Sequence, residues 1–341
     1  MFVLSYMQGD RKMKIAFFSL RKFDELTLLQ EFKEKYNIDF VCTGEYPNAE
    51  NLKLAQGCDA ISVVPCKFTE EYVDIISSLG VKYVLARSIG YDHLPLNYLR
   101  EKGLRVSSVT YPPECVANYA IMLMLMATRK VKQIMQRAVC QDYSLRGKMG
   151  KDISDCTIGI VGTGNIGNCV IKHLSGFGTK ILAYNKFGET EETKKYAEYV
   201  DLETLYKNSD IISLHVSSNE ETYHMINDDS INKMKDGVII INTARGTLID
   251  SNALIKGIKS QKIGAVGLDV IEDETGLYYY NHSSDVLNND ELAILNSFPN
   301  VIVTPHTAFY TETTVRNMLE KTFKSLVHFS KNDDNPYEIK L

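Results

Sequence analysis

Short apolar runs alternate along this chain with longer segments in which apolar positions recur every three or four residues. In the first part of the chain, Lys14–Leu20, Ile38–Thr43, Ala60–Val64, Val81–Arg87 and Arg105–Val109 read as strands. Between them Asp24–Tyr36, Ala49–Gln56, Thr69–Leu79 and Leu96–Lys102 read as helices. That alternation predicts a parallel sheet covered by helices. At Tyr111-Pro112-Pro113-Glu114 the rhythm stops: two prolines break any strand, and the second suits the first turn of a helix. A run rich in Met and Leu follows, from Cys115 to about Val139, and reads as one buried connecting helix. The strand–helix rhythm then resumes. Strands are expected at Thr157–Val161, Ile181–Tyr184, Ile211–Val216, Val238–Asn242, Ala265–Val270 and Val301–Thr304, which suits a second doubly wound sheet. The tail, Glu312 to Ser330, is a further amphipathic helix. The fold class is α/β with two doubly wound domains, and the length of 341 residues agrees with two domains.

One junction in the second domain carries chemistry. The strand Thr157–Val161 runs into Gly162-Thr163-Gly164-Asn165-Ile166-Gly167, a G-x-G-x-x-G turn. Helix-period positions follow (Ile166, Cys169, Val170, Leu174, Phe177), closed by Gly178, and then a second apolar strand. In that setting each glycine has a mechanical reason. Gly162 permits the tight turn, Gly164 lets a pyrophosphate approach the backbone, and Gly167 lets the helix pack on the strand. The helix start at Asn165 and Ile166 offers unpaired N–H groups and a positive dipole end to phosphates. A dinucleotide-binding, Rossmann-type domain is therefore expected. The position that reads the ribose is Asn185, followed by Lys186. An acid there selects NAD, and a base nearby accommodates the 2′-phosphate of NADP. Asn185 can bond a hydroxyl without repelling a phosphate; Lys186 either pairs with that phosphate or is a solvated surface lysine. The expectation is NAD(H), with NADP(H) admitted.

Composition narrows the setting. A net charge of -5 gives no basic face for nucleic acid. The seven cysteines include no C-x-x-C pair and read as free thiols in a reducing compartment. The longest apolar run, Ala120 to Ala127, is too short to span a bilayer, and Met1 to Met7 lacks the plan of a signal peptide. Cytoplasm is expected, with the first dozen residues either a poorly ordered extension or a start site placed too early. No zinc spacing and no G-x-S-x-G occur, so neither a metal site nor a serine hydrolase is expected.

Three polar residues stand at the carboxyl ends of strands, where open α/β sheets bind ligands. Arg245 follows the apolar strand in Asn242-Thr243-Ala244-Arg245-Gly246 and can hold a carboxylate through two parallel hydrogen bonds. Asp269 ends the next strand, with Glu272 and Glu274 close behind, and His306 follows Val303-Thr304-Pro305. A lone histidine is usually structural. A histidine converging with a carboxylate is an acid–base pair, because the carboxylate favours the charged imidazole that can donate a proton. His93, His173, His224, His282 and His328 lack such a setting, and His215 reads as structural.

Taken together, these residues resemble the D-2-hydroxyacid dehydrogenases, in their D-lactate dehydrogenase branch, over nearly all of the chain after residue 13. The carrying motifs are Val161–Gly167, Asn242–Gly246, Leu268-Asp269-Val270-Ile271-Glu272-Asp273-Glu274 and Thr304-Pro305-His306-Thr307-Ala308-Phe309-Tyr310. The 24-residue step from Arg245 to Asp269 and the 37-residue step from Asp269 to His306 fit the family's order. The resemblance implies a flavodoxin-like substrate domain, residues 1–111 with 311–341, and a dinucleotide-binding domain, residues 112–310. It implies that Arg245 binds the substrate carboxylate, that His306 exchanges a proton with the keto oxygen, and that Glu274 partners His306. Val216, Thr243, Ala244 and Asp269 would lie on the cofactor side. Ser88, Ile89 and Gly90, with Tyr111 and Phe309, would hold the substrate, and Tyr310 would line the pocket. Arg87–Gly90 and Val109–Pro113 look most like the D-lactate dehydrogenases of glycopeptide-resistance clusters. Two departures stand out: Pro112, where serine is commoner, and Asn185-Lys186, where NAD-preferring members carry an acid.

The activity so implied is reduction of a 2-keto acid, pyruvate first, to the D-2-hydroxy acid, by a homodimer. Larger keto acids such as phenylpyruvate and 2-ketoisocaproate are alternatives on the same motifs. Phosphoglycerate dehydrogenases often carry a further regulatory domain for which this chain ends too soon, and formate dehydrogenases pair the histidine with glutamine, where this chain has Glu274. A reading of another class is an NAD-sensing transcriptional co-repressor, a role the same fold serves elsewhere.

Overall fold

The computed structural model describes residues 12–340. The expected N-terminal extension falls on residues 1–11, outside the described residues. The chain divides into two compact units: one runs to Tyr111 and resumes at Thr311, and the other is Pro112–Tyr310.

The first unit is built on β1 (Lys14–Phe17), β2 (Asp39–Cys42), β3 (Ala60–Val63), β4 (Tyr83–Ala86) and β5 (Arg105–Ser107). They form a parallel sheet in the order β2-β1-β3-β4-β5, the flavodoxin-like order. The central strands β1, β3 and β4 are almost wholly buried and apolar, because helices cover both faces. The tail helix Glu312–Lys331 closes one face, burying Val315, Leu319, Phe323 and Phe329 against Phe17, Leu29 and Phe32. Phe323 stacks on Phe17 with centroids 5.8 Å apart. The helix expected at Ala49–Gln56 is a short 3₁₀ turn, Asn51–Ala55. The side-chain oxygen of Asn48 accepts from the amides of Glu50 and Asn51, which favours a turn over a helical start.

The second unit carries β6 (Thr157–Val161), β7 (Lys180–Tyr184), β8 (Glu198–Tyr199), β9 (Ile211–Leu214), β10 (Val238–Asn242), β11 (Ile263–Leu268) and β12 (Val301–Val303). All pair in parallel, in the order β12-β11-β10-β9-β6-β7-β8. The strand order reverses between β6 and β9, the switch point at which doubly wound sheets bind ligands. The two-residue edge strand β8 is an addition to the expected six.

The long Met/Leu-rich helix is not continuous. It runs Glu114–Thr128, breaks at Lys130, whose φ is 52°, and resumes as Val131–Val139. The Thr128 hydroxyl bonds back to the carbonyls of Met124 and Leu125, and the Thr128 carbonyl is taken by the Lys151 amide in place of a further helical turn. The first helix is a core element, burying Ala117, Ala120, Leu123 and Met124, whereas the second buries none of its residues.

Candidate active site

Register in the second sheet sets out the site. Val161 pairs with Tyr184 on one side and Leu214 on the other; Leu214 pairs with Asn242, Asn242 with Leu268 and Leu268 with Val303. The strand ends are therefore level. The residues that follow them, Asn185, Gly162, His215, Thr243, Asp269 and Thr304, form one row along the carboxyl edge. Every second-unit residue expected in the site stands in this row, in the loops leaving it or in the first turn of the helix Asn165–Leu174.

At the switch point Gly162 has a φ of 97°, and a Cβ added to it would stand 2.6 Å from the His215 carbonyl oxygen and 2.8 Å from the Val216 side chain. A Cβ on Gly167 would stand 1.9 Å from the Gly162 carbonyl oxygen, so the helix Asn165–Leu174 lies directly on the turn. Beside Gly164, the N-cap of that helix, the same construction meets open space and no side chain caps the helix. The Thr243 hydroxyl, on the same row, is buried without a hydrogen-bond partner. An open helix N-terminus and an orphaned buried hydroxyl fit a bound dinucleotide. Two expected ribose readers are engaged within the protein: Asn185 donates to the Gly188 carbonyl at 2.8 Å, and Lys186 pairs with Glu221. His215 is structural, as expected; its ring meets the Ser213 hydroxyl at 2.9 Å, and burial pushes it down to about 4.

Arg245 is presented by a turn that Asn242 builds. The buried Asn242 side chain donates to the Arg245 carbonyl at 2.8 Å and accepts from the Ala244 amide at 3.0 Å. Directly after it, a Cβ on Gly246 would stand 2.0 Å from the Ile271 carbonyl oxygen. Only glycine allows the arginine loop to press on the acidic turn that follows β11.

His306 is held from three sides. Its backbone is left-handed, with φ 52°, a conformation that marks sites held by their surroundings. Its amide donates to the Asp269 carbonyl at 2.8 Å. Its Nδ1 meets Glu274 Oε1 at 2.5 Å, and the other Glu274 oxygen accepts from the Ile271 amide at 3.2 Å. Phe309 stands edge-on to the imidazole, centroids 6.2 Å apart. With Nδ1 committed to a carboxylate, Nε2 is the nitrogen left to exchange a proton.

Asp269 is wholly buried at the end of β11. Its Oδ1 accepts from the Thr304 hydroxyl at 2.6 Å and the Thr307 amide at 2.9 Å, and its Oδ2 from the Ala308 amide at 2.8 Å. The carboxylate ties down the loop that carries His306.

His224 departs from expectation, because it does have a carboxylate setting, as does His282, whose Nδ1 meets Asp285 at 2.8 Å. The His224 Nε2 meets Glu272 Oε1 at 2.7 Å, the other Glu272 oxygen accepts from the Ser251 hydroxyl at 3.0 Å, and Tyr223 stacks on the His224 imidazole. Glu272 thus anchors the turn that carries Glu274. Tyr279, also unforeseen, donates its hydroxyl to the His306 carbonyl at 2.9 Å. Asn242 was legible as a strand-end polar residue; His224 and Tyr279 gave no local signal, because their partners lie 48 and 27 residues away.

In the first unit, Ser88, Ile89 and Gly90 form a half-buried loop after β4, with the Ser88 hydroxyl donating to the Gly90 carbonyl at 2.6 Å. Arg87 before them is buried and donates to the carbonyls of Phe18, Ser19 and Ser62, so its charge serves the scaffold. Tyr111 is half-buried at the end of the unit's first segment.

The family model described as "D-isomer specific 2-hydroxyacid dehydrogenase, NAD binding domain" matches residues 121–308. The chain is 40% identical over 324 residues to an aromatic 2-oxoacid reductase of Clostridium sporogenes, covering 93% of this chain and 96% of that one. It is 39% identical over 310 residues to a D-specific alpha-keto acid dehydrogenase of Enterococcus faecalis, covering 91% and 94%. Its fold matches the apo-structure of D-lactate dehydrogenase from Escherichia coli with a TM-score of 0.84 and 33% identity, over 96% of this chain and all of that one. With an NAD-binding Rossmann domain and a second parallel-sheet α/β domain, this chain belongs to the D-isomer specific 2-hydroxyacid dehydrogenases, a family of oxidoreductases.

Proposed function

We propose that the protein reduces a 2-keto acid to the D-2-hydroxy acid with NADH. The observation that carries this is the His306–Glu274 pair, held at the carboxyl edge of the sheet beside the Arg245 turn. NADH bound at the glycine turn would supply a hydride to the keto carbon. Gly162, Gly164, Asn165, Ile166 and Gly167 would form the turn that holds its phosphates, with Val216, Thr243 and Ala244 alongside. Arg245 and the backbone of Ser88, Ile89 and Gly90 bind the substrate carboxylate, and Tyr111 and Phe309 line the site. His306 gives the proton on Nε2 to the keto oxygen as the carbonyl becomes a hydroxyl, and Glu274 stabilises the charged ring before transfer. Asp269 holds the His306 loop and would lie on the nicotinamide side of the cofactor.

NADH is preferred to NADPH in this reading. Glu221 neutralises Lys186 and sets a carboxylate near the end of β7, where a 2′-phosphate would be repelled. Pyruvate, giving D-lactate, is the substrate that the residues first suggest. The seven cysteines are free thiols, which supports a reducing compartment such as the cytoplasm; among the described residues no helix is long and apolar enough to cross a membrane. The second copy of a homodimer is proposed to cover the outer face of the second unit. In that unit Val139, Tyr143, Leu145 and Met149 are exposed, and a groove of about 530 Å³ is lined by Ile121, Met122, Leu125 and Phe177. A two-fold axis can seat that apolar projection of each copy in the groove of the other. The test is oxidation of NADH and NADPH with pyruvate, phenylpyruvate and 2-ketoisocaproate. Turnover of at least one keto acid, faster with NADH, is expected; no turnover with any would favour a binding role such as co-repression.

A further inference from the structure

We infer that Tyr279 makes this enzyme selective for 2-keto acids with an aromatic side chain. Its hydroxyl is spent on the His306 carbonyl at 2.9 Å, which fixes the ring beside the imidazole, centroids 6.2 Å apart. The residue is nevertheless 53% exposed, and its backbone is left-handed, with φ 73°. A large aromatic side chain kept at the surface in a strained conformation is held there by its surroundings and not by burial.

The neighbouring ring gives the wall its chemistry. Tyr279 and Phe309 stand 6.5 Å apart at 85°, and Phe309 stands at 85° to His306. A group entering beside the imidazole meets the face of one ring and the edge of the other. An aryl side chain satisfies both through offset and edge-to-face contacts. A branched aliphatic side chain gains only buried area, and the methyl of pyruvate gains little of either. The inference rests on the keto-acid reduction proposed above and names the substrate class of the same site.

The experiment compares kcat/KM for phenylpyruvate, 2-ketoisocaproate and pyruvate in the wild type, Tyr279→Phe and Tyr279→Leu, with NADH. The wild type should prefer phenylpyruvate to both others. Tyr279→Phe keeps the ring but loses the bond that fixes it, and should lower the phenylpyruvate-to-pyruvate ratio less than Tyr279→Leu does. Tyr279→Leu removes the ring and should lower the phenylpyruvate-to-pyruvate ratio about tenfold. Should Tyr279→Leu fail to fold, Tyr279→Met carries the same expectation. A wild type that prefers pyruvate, or a ratio unchanged when the ring is removed, overturns the inference and leaves keto-acid reduction standing. A wild type that turns over no keto acid removes both.

Discussion

His306 depends on its backbone as much as on its ring. A left-handed histidine amide bonded to the Asp269 carbonyl, in a loop whose amides are gripped by the Asp269 carboxylate, has little freedom to swing away from Glu274. Asp269→Asn keeps the shape but turns one acceptor oxygen into a donor facing donors. We expect it to destabilise the fold by about 2 kcal/mol and to lower kcat, measured by thermal melts and steady-state kinetics. Arg245→Lys loses the two-pronged grip on a carboxylate and should chiefly raise the substrate KM. His215 sets a pH dependence. Burial holds it down to about 4, below its ordinary value near 6.5, so the unfolded chain binds more protons between those values. Its contribution to stability is complete above about pH 6.5 and is lost as the pH falls towards 4, on the order of 3 kcal/mol in all. His215→Gln should flatten that part of the melting-temperature profile.

Among the elements, the loop after β10 and the turn after β11 behave as one piece. Gly246 presses on the Ile271 carbonyl, and Glu272 is clamped by His224 and Ser251. Gly246→Ala puts a methyl 2.0 Å from that carbonyl and must push the two loops apart. Loss of roughly 3 kcal/mol of stability and most of the activity is expected. The strands and their polar ends were legible in the sequence because buried parallel strands are continuous apolar runs that stop abruptly, as Val238–Ile241 and Val301–Val303 do. What was not legible depends on distant partners. The helix break at Lys130 follows from a chain crossing at Gly150 and Lys151, which no local signal announces. β8 has two residues, too few for a periodicity. The buried role of Asp269 depends on three donors from a loop 35 to 39 residues away.

At the level of the whole molecule, two features decide behaviour that no single loop does. The first is the exposed apolar face of the second unit. If a second copy covers it, Val139→Glu combined with Leu145→Glu should convert a dimer to a monomer in light scattering at micromolar concentration. The second is the proposed preference for NADH, which rests on charges on separate loops. Glu221→Gln releases Lys186 and should raise kcat/KM with NADPH about fivefold, as expected for one exposed ion pair.

The central claim is that His306, held by Glu274, passes the proton while hydride reaches the keto carbon. The most direct measurement is the single-turnover rate of NADH oxidation with saturating keto acid in the wild type and in His306→Gln, alongside NADH affinity from fluorescence titration. The account predicts a fall of about a thousandfold in the variant with NADH affinity nearly unchanged. Wild-type rates in His306→Gln would contradict it.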